Sequence, residues 1–143
     1  MMKRFFSIAA LMLLCLLATG CPEKPVEDPL DITGEWQLSQ ISTKASIGGQ
    51  TVDVYIAFLE SGSFELYQLL GTGRYRHYTG SWTLSDKTLS GTYSGGGAWA
   101  SSYTVEMDAS KTTMTLTAAD GSETHTYRKQ AIPESVTAGA LEP

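Results

Sequence analysis

Between Ile32 and residue 130 no window of helical length places apolar side chains three and four apart; they recur instead at every second position in short runs, which restricts this stretch to β-strands. The run beginning at Thr51 is the clearest. Val52, Val54, Ile56 and Phe58 fall on one face while Asp53 opens the other, the pattern of a strand half buried in a core. Met114, Leu116 and Ala118 alternate with Thr113, Thr115 and Thr117 in the same way. Eight such runs are readable, at about 33–41, 51–60, 63–70, 74–84, 87–94, 99–108, 111–119 and 123–129. Abundant Gly, Thr, Ser, Tyr and Trp agree with an all-β chain.

The connections define the architecture. Ser61-Gly62, Ser85-Asp86 and Ala109-Ser110 have the composition of two-residue hairpin turns and form the second, fourth and sixth links. In an up-and-down meander alternate links share an end. These three therefore close one end, while 42–50, 71–73, 95–98 and 120–122 gather at the other. The expected fold is an eight-stranded antiparallel up-and-down β-barrel with a tight floor, a loose mouth and room for one small ligand. A two-sheet sandwich is the structural rival, and it tends to need a longer crossover than any of these links provides.

Ahead of the strands, residues 1–20 read as a signal peptide: a positive start with Lys3 and Arg4, a 13-residue apolar stretch at 5–17, and small Ala18, Thr19 and Gly20 before Cys21. The apolar stretch is shorter than the roughly 20 residues of a membrane span. Residues 21–31, with three prolines among acids, read as an extended tether, 32–130 as the barrel and 131–143 as a C-terminal tail. Loss of the leader reduces the 10 basic residues to 8 against 15 acids, a formal charge of −7 that argues against a nucleic-acid partner. It also removes Cys15, so Cys21 is the only remaining thiol and no intrachain disulfide can form. The domain must stand on its core and on sheet closure.

The small residues before Cys21 resemble the lipobox of bacterial lipoproteins, with Ala18 where that pattern usually has Leu. The resemblance implies that Cys21 is acylated and anchors the chain in the cell envelope, at the outer membrane; the alternative is an ordinary secretory leader followed by a chance cysteine. Gly34-Glu35-Trp36 resembles the G-x-W signature of the lipocalins and their calycin relatives, and Arg128 in the last run matches the arginine that lipocalins place over that tryptophan. Gly80-Ser81-Trp82-Thr83-Leu84-Ser85-Asp86 and Leu89-Ser90-Gly91-Thr92-Tyr93 resemble the small lipocalin-like lipoproteins of Bacteroides-type bacteria, and the likeness spans about 31–130. It implies a structural floor of Gly34, Trp36 and Arg128, with the guanidinium on the indole contributing roughly 0.5–2 kcal/mol. The alternative is Trp36 as plain core and Arg128 as solvated surface. Other lipocalin motifs and the usual disulfides are absent.

For chemistry the chain offers little. No serine, histidine and acid arrangement has a recognisable spacing, and His77 and His125 belong to no clustered metal motif, so no catalytic residue, metal or cofactor is expected. Gly95-Gly96-Gly97 is followed by neither a helix nor a lysine and reads as a hairpin loop. Alternation places Arg76 with Tyr78 and Trp82 on the inward face, where a cation requires an anionic ligand or a partner such as Glu65; the outward reading is a solvated patch. The same parity turns Tyr78, Tyr93 and Tyr103 inward, and Trp99 is either a strand-end core residue or a mouth residue covering ligand. Arg76, Tyr78, Tyr93, Trp99 and Tyr103 are thus the expected ligand-binding residues.

The expected function is noncatalytic binding of a small apolar or amphipathic molecule in the barrel of a lipid-anchored envelope protein. Its rival is a protein-interaction module with a side-chain-filled barrel, whose loops meet another envelope protein. Because the tether enters the first strand at the closed end, the mouth should face away from the membrane, with Ile47 and the loop from Gly95 to Trp99 on its rim.

Overall fold

The computed structural model describes residues 28–43 and 51–143. The expected signal peptide, Cys21, most of the tether and the loop containing Ile47 lie outside the described residues. The eight expected strands form β1 (Gly34–Thr43), β2 (Val52–Phe58), β3 (Ser63–Leu70), β4 (Arg76–Ser85), β5 (Thr88–Tyr93), β6 (Tyr103–Met107), β7 (Thr113–Ala118) and β8 (Glu123–Lys129). Each pairs antiparallel with its neighbour in sequence, and β1 pairs antiparallel with β8, so the sheet is a closed up-and-down barrel and not a sandwich. No helix among the described residues is long and apolar enough to cross a membrane.

The inward side chains follow the period-two pattern. Val54, Ile56 and Phe58 of β2, Phe64 of β3, Leu89 of β5, Val105 of β6, Met114 and Leu116 of β7 and Tyr127 of β8 form one buried core with Ile32 and Trp36. β1 needs a correction of phase. Leu38 pairs with Tyr127 and Gln40 with Thr126, so Ser39 is an extra residue, and beyond this bulge Ile41, not Gln40, faces inward opposite His125. The Ser39 hydroxyl donates to the Thr126 carbonyl at 3.0 Å.

The tight end differs from the expected turn frames. Only the β4–β5 link has two residues, and these are Asp86 and Lys87, not Ser85-Asp86, with Asp86 in the left-handed region at φ 56°. The β2–β3 link is 59–62, with Gly62 at φ 88°. The β6–β7 link is 108–112, longer than the expected Ala109-Ser110 pair. Asp108 organises it. Its Oδ1 accepts from the Thr112 and Thr113 amides at 2.9 Å each, and Oδ2 accepts from the Ser110 hydroxyl, which holds its carboxyl down to about 2.

The segment expected to be a tail is docked on the barrel. A short helix α1 (Glu134–Gly139) buries Val136 against Tyr55 and Tyr67, outward residues of β2 and β3, and Tyr75, Ile132 and Ala140 complete this second apolar cluster. Beyond it Leu141 lies beside Arg76 in a parallel bridge, and backbone bonds of 2.8 Å run from His77 N to Leu141 O and from Leu141 N to Tyr75 O.

Candidate functional site

The floor is built around Trp36. The residue is 1% exposed, and its Nε1 donates to the Ile32 carbonyl at 2.9 Å, tying the strand entrance to the core. The cation over the ring is Lys129, with Nζ 5.5 Å from the centroid, and not the expected Arg128. Alternation from buried Tyr127 explains the exchange: Lys129 shares the inward face and Arg128, paired with Gln37 and Thr113, turns outward and is exposed. At Gly34, whose φ is 125°, a Cβ would stand 3.4 Å from Lys129 Cε, so the glycine leaves that side chain room to cross.

Above the floor lies an interior cavity of about 180 Å³. Val54, Ile56, Phe58, Leu66 and Leu116 form its apolar wall, and Gln68, Tyr93, Trp99, Tyr103, His125 and Tyr127 bring the polar atoms. Three of the expected ligand-binding residues, Tyr93, Trp99 and Tyr103, therefore share one cavity. Tyr78 stands just outside it, edge to Tyr93 with centroids 6.0 Å apart, in an adjoining recess of about 500 Å³ with Leu66, Gln68 and Thr79.

Arg76 lies on the inward face as alternation requires, but its position is past the rim. It is exposed and lines a third recess, of about 320 Å³, with Gln68, Leu70, Thr72, Arg74, Tyr78 and Leu141. Glu65 does not partner it. That carboxylate is on the outer face, 3.7 Å from His77 Nε2, and His77 is stacked on Tyr67 at 4.5 Å and reaches Glu142 at 3.2 Å.

Trp99 owes its place to two departures from ideal strands. The β5–β6 ladder has only two register pairs, Thr88 with Thr104 and Leu89 with Tyr103. Residues 99–102, expected within a strand, leave the ladder instead. The Trp99 amide donates to the Gly91 carbonyl at 2.9 Å, and its indole lies on Gly91 itself, where a Cβ would stand 2.3 Å from Cε2. Phe64 meets the indole edge-on at 5.1 Å. Gly80 plays the matching part on β4, where a Cβ would be 2.6 Å from the Phe64 ring.

Tyr103, expected on the inward face, joins His125 on the cavity wall and Glu123 at the start of β8 in a polar group, and no inward role was expected of the two β8 residues. The Tyr103 hydroxyl donates to Glu123 Oε1 at 3.0 Å, and His125 Nε2 lies 3.4 Å from Oε2, buried and without a hydrogen bond. Burial first, then the Glu123 charge, pushes the Tyr103 hydroxyl well above the usual tyrosine range, so it stays a donor. Burial also raises the Tyr127 and Tyr93 hydroxyls. The available signal was the Glu123, His125, Tyr127 alternation, which puts the three on one face. No group of three or more metal-ligating side chains occurs among the described residues, and residues 95–97 are an exposed loop.

A closed antiparallel barrel with a mainly apolar interior, a few convergent polar groups and a plugged floor defines a ligand-binding type of domain. The chain belongs to the lipocalin-like domain family, whose sequence model matches residues 32–116. That family consists in general of non-enzymatic binding proteins. The matched span runs from Ile32 into β7, so Glu123, His125, Tyr127 and Lys129 of β8 lie beyond it. No curated protein matches the chain.

Proposed function

We propose that this protein is a noncatalytic, lipid-anchored envelope protein that binds a small apolar or amphipathic molecule in its barrel. The observation that carries the reading is the interior cavity, whose Gln68, Leu66 and Tyr93 also wall the recess at the mouth. At about 180 Å³ the interior is smaller than the roughly 300 Å³ where small-molecule pockets usually begin. It therefore takes the apolar end of a ligand, with the remainder in the mouth. The anchor rests on the order of leader, small residues, Cys21 and acidic tether, and on the likeness to lipocalin-like lipoproteins of Bacteroides-type bacteria, which favours the outer membrane.

The small interior also favours a second reading, a protein-interaction module whose loops meet an envelope partner. Native mass spectrometry of the protein purified from its own membrane separates the two. A retained small molecule supports the binding reading; ligand-free protein that co-purifies with a stoichiometric partner supports the module. For the anchor, Cys21→Ala should release or misprocess the protein, and a variant that fractionates with membranes as the wild type does would refute acylation.

A further inference from the structure

The three recesses share walls. Gln68 lines all three, Leu66 and Tyr93 join the cavity to the mouth recess, and Tyr78 joins that recess to the rim. The recesses thus adjoin in series, with Ile56, Phe58 and Leu116 lining the innermost and Arg74 and Arg76 the outermost.

Both arginines are exposed, and neither forms an ion pair with a described residue. Glu142, close to Arg76 in space through the Leu141 bridge, is paired with His77 instead. Two unpartnered cations side by side are conspicuous in a chain of formal charge −5. Beside them Leu70 and Leu141 expose 54% and 44% of their surfaces, an apolar bed next to the charge. Across the mouth the charge reverses, since Glu123 is on the β8 lip and Asp120 precedes it on the β7–β8 link.

We infer that the ligand is a single-chain amphiphile with an anionic head, its chain running past Gln68 into the cavity and its carboxylate or phosphate held by Arg74 and Arg76. The inference rests on the barrel-binding reading above. A guanidinium fork matches either oxyanion in two-point fashion, and Glu123 opposes the reverse orientation at the other lip.

The test uses the full chain in phosphatidylcholine nanodiscs, titrated calorimetrically against empty nanodiscs with octanoate, octyl phosphate, 1-octanol and octyltrimethylammonium. Octanoate or octyl phosphate should bind about tenfold more tightly than 1-octanol at low salt, about threefold from each rim arginine, and the cationic probe should bind most weakly. The stronger of the two anions identifies the head group. Arg74→Gln with Arg76→Gln should bring the anions to the affinity of 1-octanol and leave 1-octanol unchanged, while the double Lys variant retains most of the preference. If all four probes bind equally, the anionic-head inference falls and barrel binding stands. If none binds, the barrel-binding reading falls with it. Arginine-dependent association with phosphatidylglycerol nanodiscs, without arginine-dependent octanoate binding, would assign the pair to a membrane surface and overturn the inference.

Discussion

Gly91→Ala tests the packing that gives the cavity its shape. An added Cβ would stand 2.3, 2.5 and 2.7 Å from three indole atoms of Trp99, about 1 Å or more inside normal contact at about 3.5–4 Å. The indole must move. Forced overpacking of this kind costs about 1–3 kcal/mol, and loss of the Phe64 edge contact at 5.1 Å adds about 0.5–1.5 kcal/mol. Replacing a strand glycine by alanine returns about 0.5–1 kcal/mol of backbone entropy. The net expectation is a loss of about 2 kcal/mol, or a Tm about 8 °C lower for a domain of this size. Urea denaturation followed by tryptophan fluorescence measures it. The decisive comparison is the double-mutant cycle with Trp99→Ala, in whose background Gly91→Ala should be neutral or stabilising by about 0.5 kcal/mol. An equal cost in both backgrounds would show that the indole is not what Gly91 accommodates.

Trp36→Ala should cost about 3–5 kcal/mol, because a fully buried floor residue and its bond to Ile32 are lost; a loss under about 1 kcal/mol in equilibrium denaturation would contradict the floor assignment. Lys129→Ala should cost about 0.5–1 kcal/mol and Arg128→Ala nothing measurable, and the reverse order would restore the arginine to the floor. Asp108 has a folded pKa of about 2 against about 3.9 unfolded, so its contribution is full above that unfolded value and disappears as the pH falls through about 2. Asp108→Asn should flatten stability across that window, and an unchanged acid limb would show that the carboxylate is not responsible. On anchored protein, spin labels at exposed Thr72 and Ser85 should place Thr72 farther from the lipid; the opposite order would invert the proposed mouth-outward orientation.

Alternation sufficed for the eight strands and for the inward placement of Tyr93 and Tyr103, because those runs alternate cleanly and one face is buried, while the short links pointed to ring closure. It misled where a strand outlasts the core. Arg76 has the right parity, but it lies one step beyond the last covered layer, and parity carries no information about depth. The choice between Arg128 and Lys129 follows once Tyr127 is known to be buried, since a tyrosine suits either face. Nothing local marks the bulge at Ser39, which contains neither Gly nor Pro and is fixed by pairing with β8. Trp99 lies outside the β5–β6 register pairs, with its indole on Gly91 and Phe64, a tertiary contact that alternation along one strand does not register. The docking of Val136 was illegible because a helix of six residues is too short to show a period.

The order of strands around the ring has a kinetic side. Seven of the eight pairings join neighbours in sequence and can zip as hairpins, each closing only a short loop. The eighth, β1 with β8, joins residues as far apart as Trp36 and Lys129 and must wait until the intervening strands have shortened the effective distance. That same pairing brings Lys129 over the Trp36 ring, so the indole acquires its cation only when the barrel closes. In a refolding experiment Trp36 is thus a clock for the final event, and the rate at which its environment matures is the rate of ring closure.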